Sequence, residues 1–249
     1  MNTNIDERNI TELYLYQSDY YFIKGFACAK NFSNTLKALP LAEKMHSGQY
    51  RQGKTIVNDK EVDLPYICHC LKVCSTLMLL NPQLKEKELD YLYASALLHD
   101  AIEDGDMPKG GIEMVRDYGI SEEVYKIVKL LSKRSGATQE ELAEYFNSIK
   151  VNKLALLVKL ADRSHNVEDL YNKRVEKLHK YVKETRDFIY PLAEYGRQTY
   201  PELSDGITLL KSKIISLTEC TETITKLYEE KLLEKDAEIA RLLEELNKK

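Results

Sequence analysis

The sequence predicts an all-α protein. Proline and glycine are scarce, 6 and 10 in 249 residues. Apolar residues recur at i, i+3, i+4 spacing along most of the chain, and no apolar/polar alternation is long enough to specify a sheet. Hydrophobic residues at 43% supply a sizeable core, and charged residues at 31% a polar surface. A formal net charge of -4 gives no general attraction to nucleic acid or to an anionic membrane, so neither is expected as a partner. No apolar run approaches the roughly 18 residues of a membrane span, and residues 1–4 lack a signal-peptide pattern, so a cytoplasmic protein is expected.

Each element follows from local pattern. Residues 1–35 hold an aromatic-rich stretch, Leu13-Tyr14-Leu15-Tyr16 through Tyr20-Tyr21-Phe22, expected as a helical extension packed on the main body. A second helix, Asn34 to Gln49, turns Leu36, Leu39, Ala42, Met45 and His46 inward. Arg51 to Asp63 reads as a polar loop closed by Pro65. The helix starting near Tyr66 places Tyr66, His69, Cys70, Val73, Cys74 and Leu77 on one face, which buries His69. Leu89, Leu92, Tyr93, Ala96 and Leu97 mark the buried face of the next helix, with Gly105 as its C′ residue. Gly110-Gly111 then breaks the chain. Short helices follow over 112–118, 121–131 and 138–148, the last two opened by Ser121 and Thr138 as N-caps with acids in the first turn. Leu154, Leu157, Val158 and Ala161 form the stripe of a further helix, and helical spacing continues to Tyr200. From Pro201 the remaining 49 residues read as a charged helix, too few and too charged for a synthetase or regulatory domain to be expected there. There Thr225, Tyr228, Leu232, Lys235, Ile239, Leu242 and Leu246 fit a and d positions of about three heptads. That segment is either a solvated helix or a short coiled coil joining copies of the chain. Five cysteines, Cys28, Cys68, Cys70, Cys74 and Cys220, lack the spacing of a disulfide framework or a zinc site and read mainly as small core hydrophobes.

Chemistry concentrates where two apolar helices are interrupted by acids. The first interruption is His99-Asp100-Ala101-Ile102-Glu103-Asp104-Gly105-Asp106. It sets carboxylates at the negative end of a helix dipole, where a compensating positive charge is needed. The second is Asp162-Arg163-Ser164-His165-Asn166. Asp162 lies beside the apolar stripe, so it must be paired with Lys159 or Arg163 or bound to a cation. With His69, these give two imidazoles and two carboxylates: His69, His99, Asp100 and Asp162. That mixed nitrogen and oxygen set suits Mn²⁺, Fe²⁺ or Zn²⁺ rather than Ca²⁺. Glu103 and Asp104 follow Asp100 by three and four residues, on its side of the helix, where they can orient or deprotonate an attacking water.

The ordered set His69, His99-Asp100, Asp162 resembles the HD phosphohydrolases. The ED pair Glu103-Asp104 and the segment Lys159-Leu160-Ala161-Asp162-Arg163-Ser164-His165-Asn166 resemble more closely the hydrolase domain of RelA/SpoT proteins and the small alarmone hydrolases. His46-Ser47-Gly48-Gln49-Tyr50-Arg51 and Tyr190-Pro191-Leu192-Ala193 are similar to two flanking elements of that family. The likeness divides the chain into an extension at 1–35, an HD-domain helical bundle at 36–200 and a helical tail at 201–249. It implies removal of the 3′-pyrophosphate from guanosine tetra- or pentaphosphate, with Mn²⁺ as metal and a guanine nucleotide alarmone as substrate. It further implies that Arg51, Asn166 and Tyr181 line the nucleotide pocket, and that His46 and His165 hold their neighbours in place. Two features depart from the family: the stretch from Arg51 to His69 is longer than its usual turn, and Gln52 stands where a basic residue is common. The alternatives are an HD enzyme for another 2′- or 3′-phosphorylated nucleotide, or a non-catalytic nucleotide- or partner-binding protein.

Overall fold

A computed structural model describes residues 7–57, 60–108, 110–134, 136–170 and 175–247. The stretch read for a signal peptide lies outside them. Among the described residues no helix is long and apolar enough to cross a membrane. The described residues form a bundle of α-helices with one small hairpin. The first helices are α1 (Glu7–Lys30) and α2 (Ser33–Met45), followed by β1 (Tyr50–Val57) and β2 (Lys60–Pro65). Next come α3 (Ile67–Leu80), α4 (Glu86–Leu98), α5 (Glu113–Arg116), α6 (Glu122–Leu131), α7 (Gln139–Lys150) and α8 (Lys153–Asn166). Then α9 (Val175–Glu184) passes through a π turn, Thr185–Ile189, into α10 (Tyr190–Thr199), and α11 (Ser204–Asn247) ends the chain.

Helices α3, α4 and α8 pack on one another at the centre. Their apolar faces (Cys70, Val73, Cys74 and Leu77; Leu92, Ala96 and Leu97; Leu157, Val158 and Ala161) are almost wholly buried. Burial of this kind stabilises by about 25 cal/mol per Å² of apolar surface, and it fixes the three helices that carry the interrupting acids and His69. Ile23 and Ala27 of α1 and Ile207, Leu210 and Ile214 of α11 join the same core. Asp90 of α4 is buried for a structural reason: its carboxylate accepts from the backbone N–H and the side chains of Asn34 and Thr35, capping α2 from a neighbouring helix. Ser121, Thr138 and Asn152 cap α6, α7 and α8 through their side-chain oxygens.

Three local expectations change. The stretch after Arg51 is an antiparallel hairpin, pairing Lys54 with Asp63, Thr55 with Val62 and Ile56 with Glu61; its tip at 58–59 lies outside the described residues. Helix α4 stops at Leu98, with His99 as C-cap, so His99 to Asp104 form a separate turn in which the Asp104 and Gly105 N–H groups both donate to the Asp100 carbonyl. Gly105 is not a left-handed C′ residue. It is needed because a Cβ there would stand 2.6 Å from the Ala101 carbonyl oxygen.

Between α9 and α10, the Tyr190 N–H donates to the Thr185 carbonyl, a bond spanning five residues. Pro191 follows at once and has no N–H to offer, so the widened turn absorbs the residue that would break a regular helix.

Candidate metal centre

His69 comes from the first turns of α3, His99 and Asp100 from the end of α4, and Asp162 from the last turn of α8. The structure brings all four together. The His69 Nε2 atom lies 3.2 Å from His99 Nε2, 3.2 Å from Asp162 Oδ1 and 3.6 Å from Asp100 Oδ2. His99 Nε2 lies 3.0 Å from Asp100 Oδ2 and 3.7 Å from Asp162 Oδ1. Donors about 2.0–2.2 Å from a common ion stand roughly 3.0–3.6 Å from one another in octahedral or tetrahedral geometry, so these separations suit a shared cation. His69, His99 and Asp162 are buried; Asp100 is the donor most open to solvent.

Both rings are oriented from behind. His99 Nδ1 is 2.8 Å from the Ala96 carbonyl oxygen, so it carries the proton and leaves Nε2 as the donor atom facing the cluster. His69 Nδ1 faces His165 Nδ1 at 2.6 Å, the two rings stacked with centroids 4.9 Å apart. Burial drives His165 down to about 3, so it stays neutral beside His69. His46, expected as another supporting group, stacks on Tyr66 and bonds Gln49 through Nδ1.

Asp162 meets both demands left open by the sequence. Its Oδ2 accepts from Lys159 Nζ at 2.9 Å while its Oδ1 faces the imidazoles. Burial opposes its charge, but Lys159 and the two rings outweigh that and hold its carboxyl well below the usual range. Burial also opposes protonation of His99, yet Asp100 and Asp162 push it up to about 10. The field inside the cluster therefore favours positive charge, and the donor set fits a divalent cation.

Glu103 and Asp104 stand at the edge of this cluster, in a cleft of roughly 450 Å³ that Asp100, Asp162, Asn166 and Tyr181 also line. Glu103 Oε2 accepts from the Lys133 backbone N–H at 2.9 Å. Desolvation in the cleft pushes both carboxyl groups up. Sequence reasoning passed over Tyr66, whose hydroxyl donates to Asp100 at 2.7 Å and reaches Asp104 at 3.3 Å. It also passed over a basic side to the cleft, made by Lys133, Lys159, Lys177 and Lys180. The signal available was the basic connection Ser132 to Gly136 together with lysines three residues apart on α9.

The three residues expected around a nucleotide are separated. Asn166 and Tyr181 line the cleft, Tyr181 with the Arg163 guanidinium 4.0 Å over its ring. Arg51 does not line it. Its largely buried guanidinium bonds Asn166 Oδ1 and Asp169 Oδ2, each at 3.0 Å, and the Asn166 amide in turn donates to Asp162. Arg51 thus supports Asn166 from outside the cleft.

Residues 66–167 match the HD domain family, and that span holds all four donors and both acids. The chain is 28% identical over 186 residues to the bifunctional (p)ppGpp synthase/hydrolase SpoT of Escherichia coli K12, covering 73% of this chain and 24% of that protein. The chain carries an HD domain of the RelA/SpoT hydrolase type. A protein of Escherichia coli O157:H7 named guanosine-3′,5′-bis(diphosphate) 3′-pyrophosphohydrolase matches to the same extent. The GTP pyrophosphokinase rsh of Brucella ovis is 30% identical over 184 residues, 72% of this chain and 23% of the relative. The chain thus spans about a quarter of the length of these relatives.

Proposed function

We propose that this protein hydrolyses guanosine tetra- or pentaphosphate, releasing the 3′-pyrophosphate and leaving GDP or GTP. The observation that carries the reading is a cleft lined by Asp100, Asp162, Glu103 and Asp104 together with Lys133, Lys159, Lys177 and Lys180, with His69, His99 and Asp162 grouped as a candidate ion site. A polyphosphate is the ligand class that uses both kinds of group, because its charge must be neutralised while one phosphoryl group meets an activated water. The SpoT relative adds the guanine nucleotide and the 3′-pyrophosphohydrolase relative the 3′ position, although another relative is named for synthesis.

In this reading His69, His99, Asp100 and Asp162 hold Mn²⁺. Held there, the ion would supply positive charge against the phosphoryl oxygens and lower the pKa of a water molecule. Glu103 and Asp104, raised by desolvation, accept the proton that the attacking water gives up. Tyr66 fixes the Asp104 carboxylate against Asp100, Lys159 holds Asp162, and Lys177 and Lys180 of the cleft bind the phosphates. Asn166 and Tyr181 are proposed to contact the nucleoside.

One observation favours a second reading, an HD enzyme for another 2′- or 3′-phosphorylated nucleotide: Arg51 is engaged outside the cleft and does not face a base within it. The test is a nucleotide panel incubated with the Mn²⁺-loaded full chain, with products resolved by anion exchange and phosphorus NMR. GDP plus intact pyrophosphate from guanosine tetraphosphate is the expected result. Release of single orthophosphates, or turnover confined to 2′- or 3′-monophosphorylated nucleotides, selects the second reading. A chain that binds guanosine tetraphosphate and hydrolyses nothing in the panel overturns both.

A further inference from the structure

Helix α11 changes character half-way along. Ile207, Leu210, Ile214 and Thr218 are buried against the body, whereas every residue from 230 to 246 is exposed. Yet this free half carries Tyr228, Leu232, Ile239, Leu242 and Leu246, each more than half exposed, with Lys235 completing their 4-3-4-3-4 spacing. An apolar stripe at a 3.5-residue period is the seam of a two-helix coiled coil, and a lone helix in water gains nothing from it. At its near end the stripe runs into an apolar groove of about 340 Å³ between α9 and α11, lined by Val175, Leu178, Ile224, Tyr228 and Leu232.

We propose that the occupant is α11 of a second copy of this chain, antiparallel, crossing at residue 237. That alignment sets Leu232 against Leu242 of the second copy and Tyr228 against its Leu246, so the end of each helix closes the groove of the other body.

Charge selects the direction. A parallel, in-register pair sets Lys235 against Lys235 inside the seam, a buried like-charge contact. The antiparallel pair sets each Lys235 in the Ile239 layer, flanked by Asp236 and Glu238 of the other copy. It also brings Lys231 beside Glu245. The charge of the free half is uneven in the same sense: in 226–235 Lys226, Lys231 and Lys235 are balanced by Glu229, Glu230 and Glu234, while 236–245 carries Asp236, Glu238, Glu244 and Glu245 against Arg241.

Light scattering after size exclusion of the full chain is expected to give twice the chain mass at micromolar concentration. The double variant Leu232→Asp, Leu242→Asp is expected to give the chain mass with an unchanged metal content, since both side chains are more than half exposed and stand outside the buried core. Direction is read by disulfide trapping in a Cys28→Ser, Cys220→Ser background. Lys231→Cys and Glu245→Cys proteins are expected to cross-link when mixed and not when oxidised separately. A monomeric parent chain, or cross-linking of Lys231→Cys with itself, overturns the proposal.

Discussion

His99 ties metal binding to pH. In the metal-free cluster Asp100 and Asp162 push its imidazole up to about 10, against the opposing effect of burial. A metal ion needs the neutral ring, so loading must displace this proton. At pH 7 the neutral form amounts to about one part in a thousand, because each pH unit below the pKa costs a factor of ten. Apparent affinity is therefore expected to be about a thousandfold below its intrinsic value at neutral pH, rising about tenfold per pH unit toward 10, with one proton released per ion. No other donor adds a proton: burial lowers His69, and Asp100 and Asp162 are held ionised. Stability carries the matching sign. The raised imidazole stabilises the metal-free protein fully below the ordinary imidazole value near 6.5, and that contribution is lost as pH rises through about 10. The metal-free protein should melt at progressively lower temperature across that window, and the loaded protein should not. Titration calorimetry with Mn²⁺ in two buffers of different ionisation enthalpy, repeated from about pH 6 to 8.5, counts the proton directly. Affinity independent of pH, with no proton released, refutes the reasoning. Asp162→Asn removes one of the charges that raise the ring and should move proton release to lower pH as well as weaken binding.

Asp104→Asn should keep its metal and lose turnover by about a hundredfold or more, since the carboxylate that accepts the proton is gone; unchanged kcat refutes the role. Arg51→Ala should raise KM for guanosine tetraphosphate more than it lowers kcat, because Asn166 loses the guanidinium that holds it. A small generic phosphodiester, which does not use Asn166, should be hydrolysed as before. Gly105→Ala forces a methyl group against the Ala101 carbonyl and should cost about 1–3 kcal/mol, seen as a lowered Tm together with reduced metal affinity.

The parts of the fold that pay hydrophobic energy were legible from sequence, since the stripes of α3, α4 and α8 follow directly from 3.6-residue spacing. The clustering of His69, His99, Asp100 and Asp162 was legible for the complementary reason, because each is a polar group set on or beside such a stripe and would be costly there without a partner. The hairpin was not, because its strands are short and add no residue to the main core cluster. The alternation Glu61-Val62-Asp63-Leu64 and the β-branched run Thr55-Ile56-Val57 before Asn58-Asp59 were its traces. Arg51 was set beside the nucleotide by the likeness alone, and no pattern along the chain signals that its guanidinium bonds Asn166 and Asp169, more than a hundred residues away. The basic wall of the cleft was hidden because Lys133 and the lysines of α9 are some forty residues apart in a chain with lysines throughout.

The π turn before Pro191 has a consequence for how the helices on either side can vary. Upstream, Glu184 and Thr185 grip Arg163, and Tyr181 faces the cleft. Downstream, Leu192, Ala193 and Gly196 face inward, and a Cβ on Gly196 would stand 2.8 Å from Leu156 on α8. Removing one residue from 185–189 would restore a regular helix and turn one half by about 100° against the other. Either the grip on Arg163 or the close fit to α8 would then point the wrong way. The wide turn acts as a phase shifter, setting the angle of the cleft-facing half independently of the core-facing half. Substitutions on either side can be absorbed singly, but a change of length there cannot.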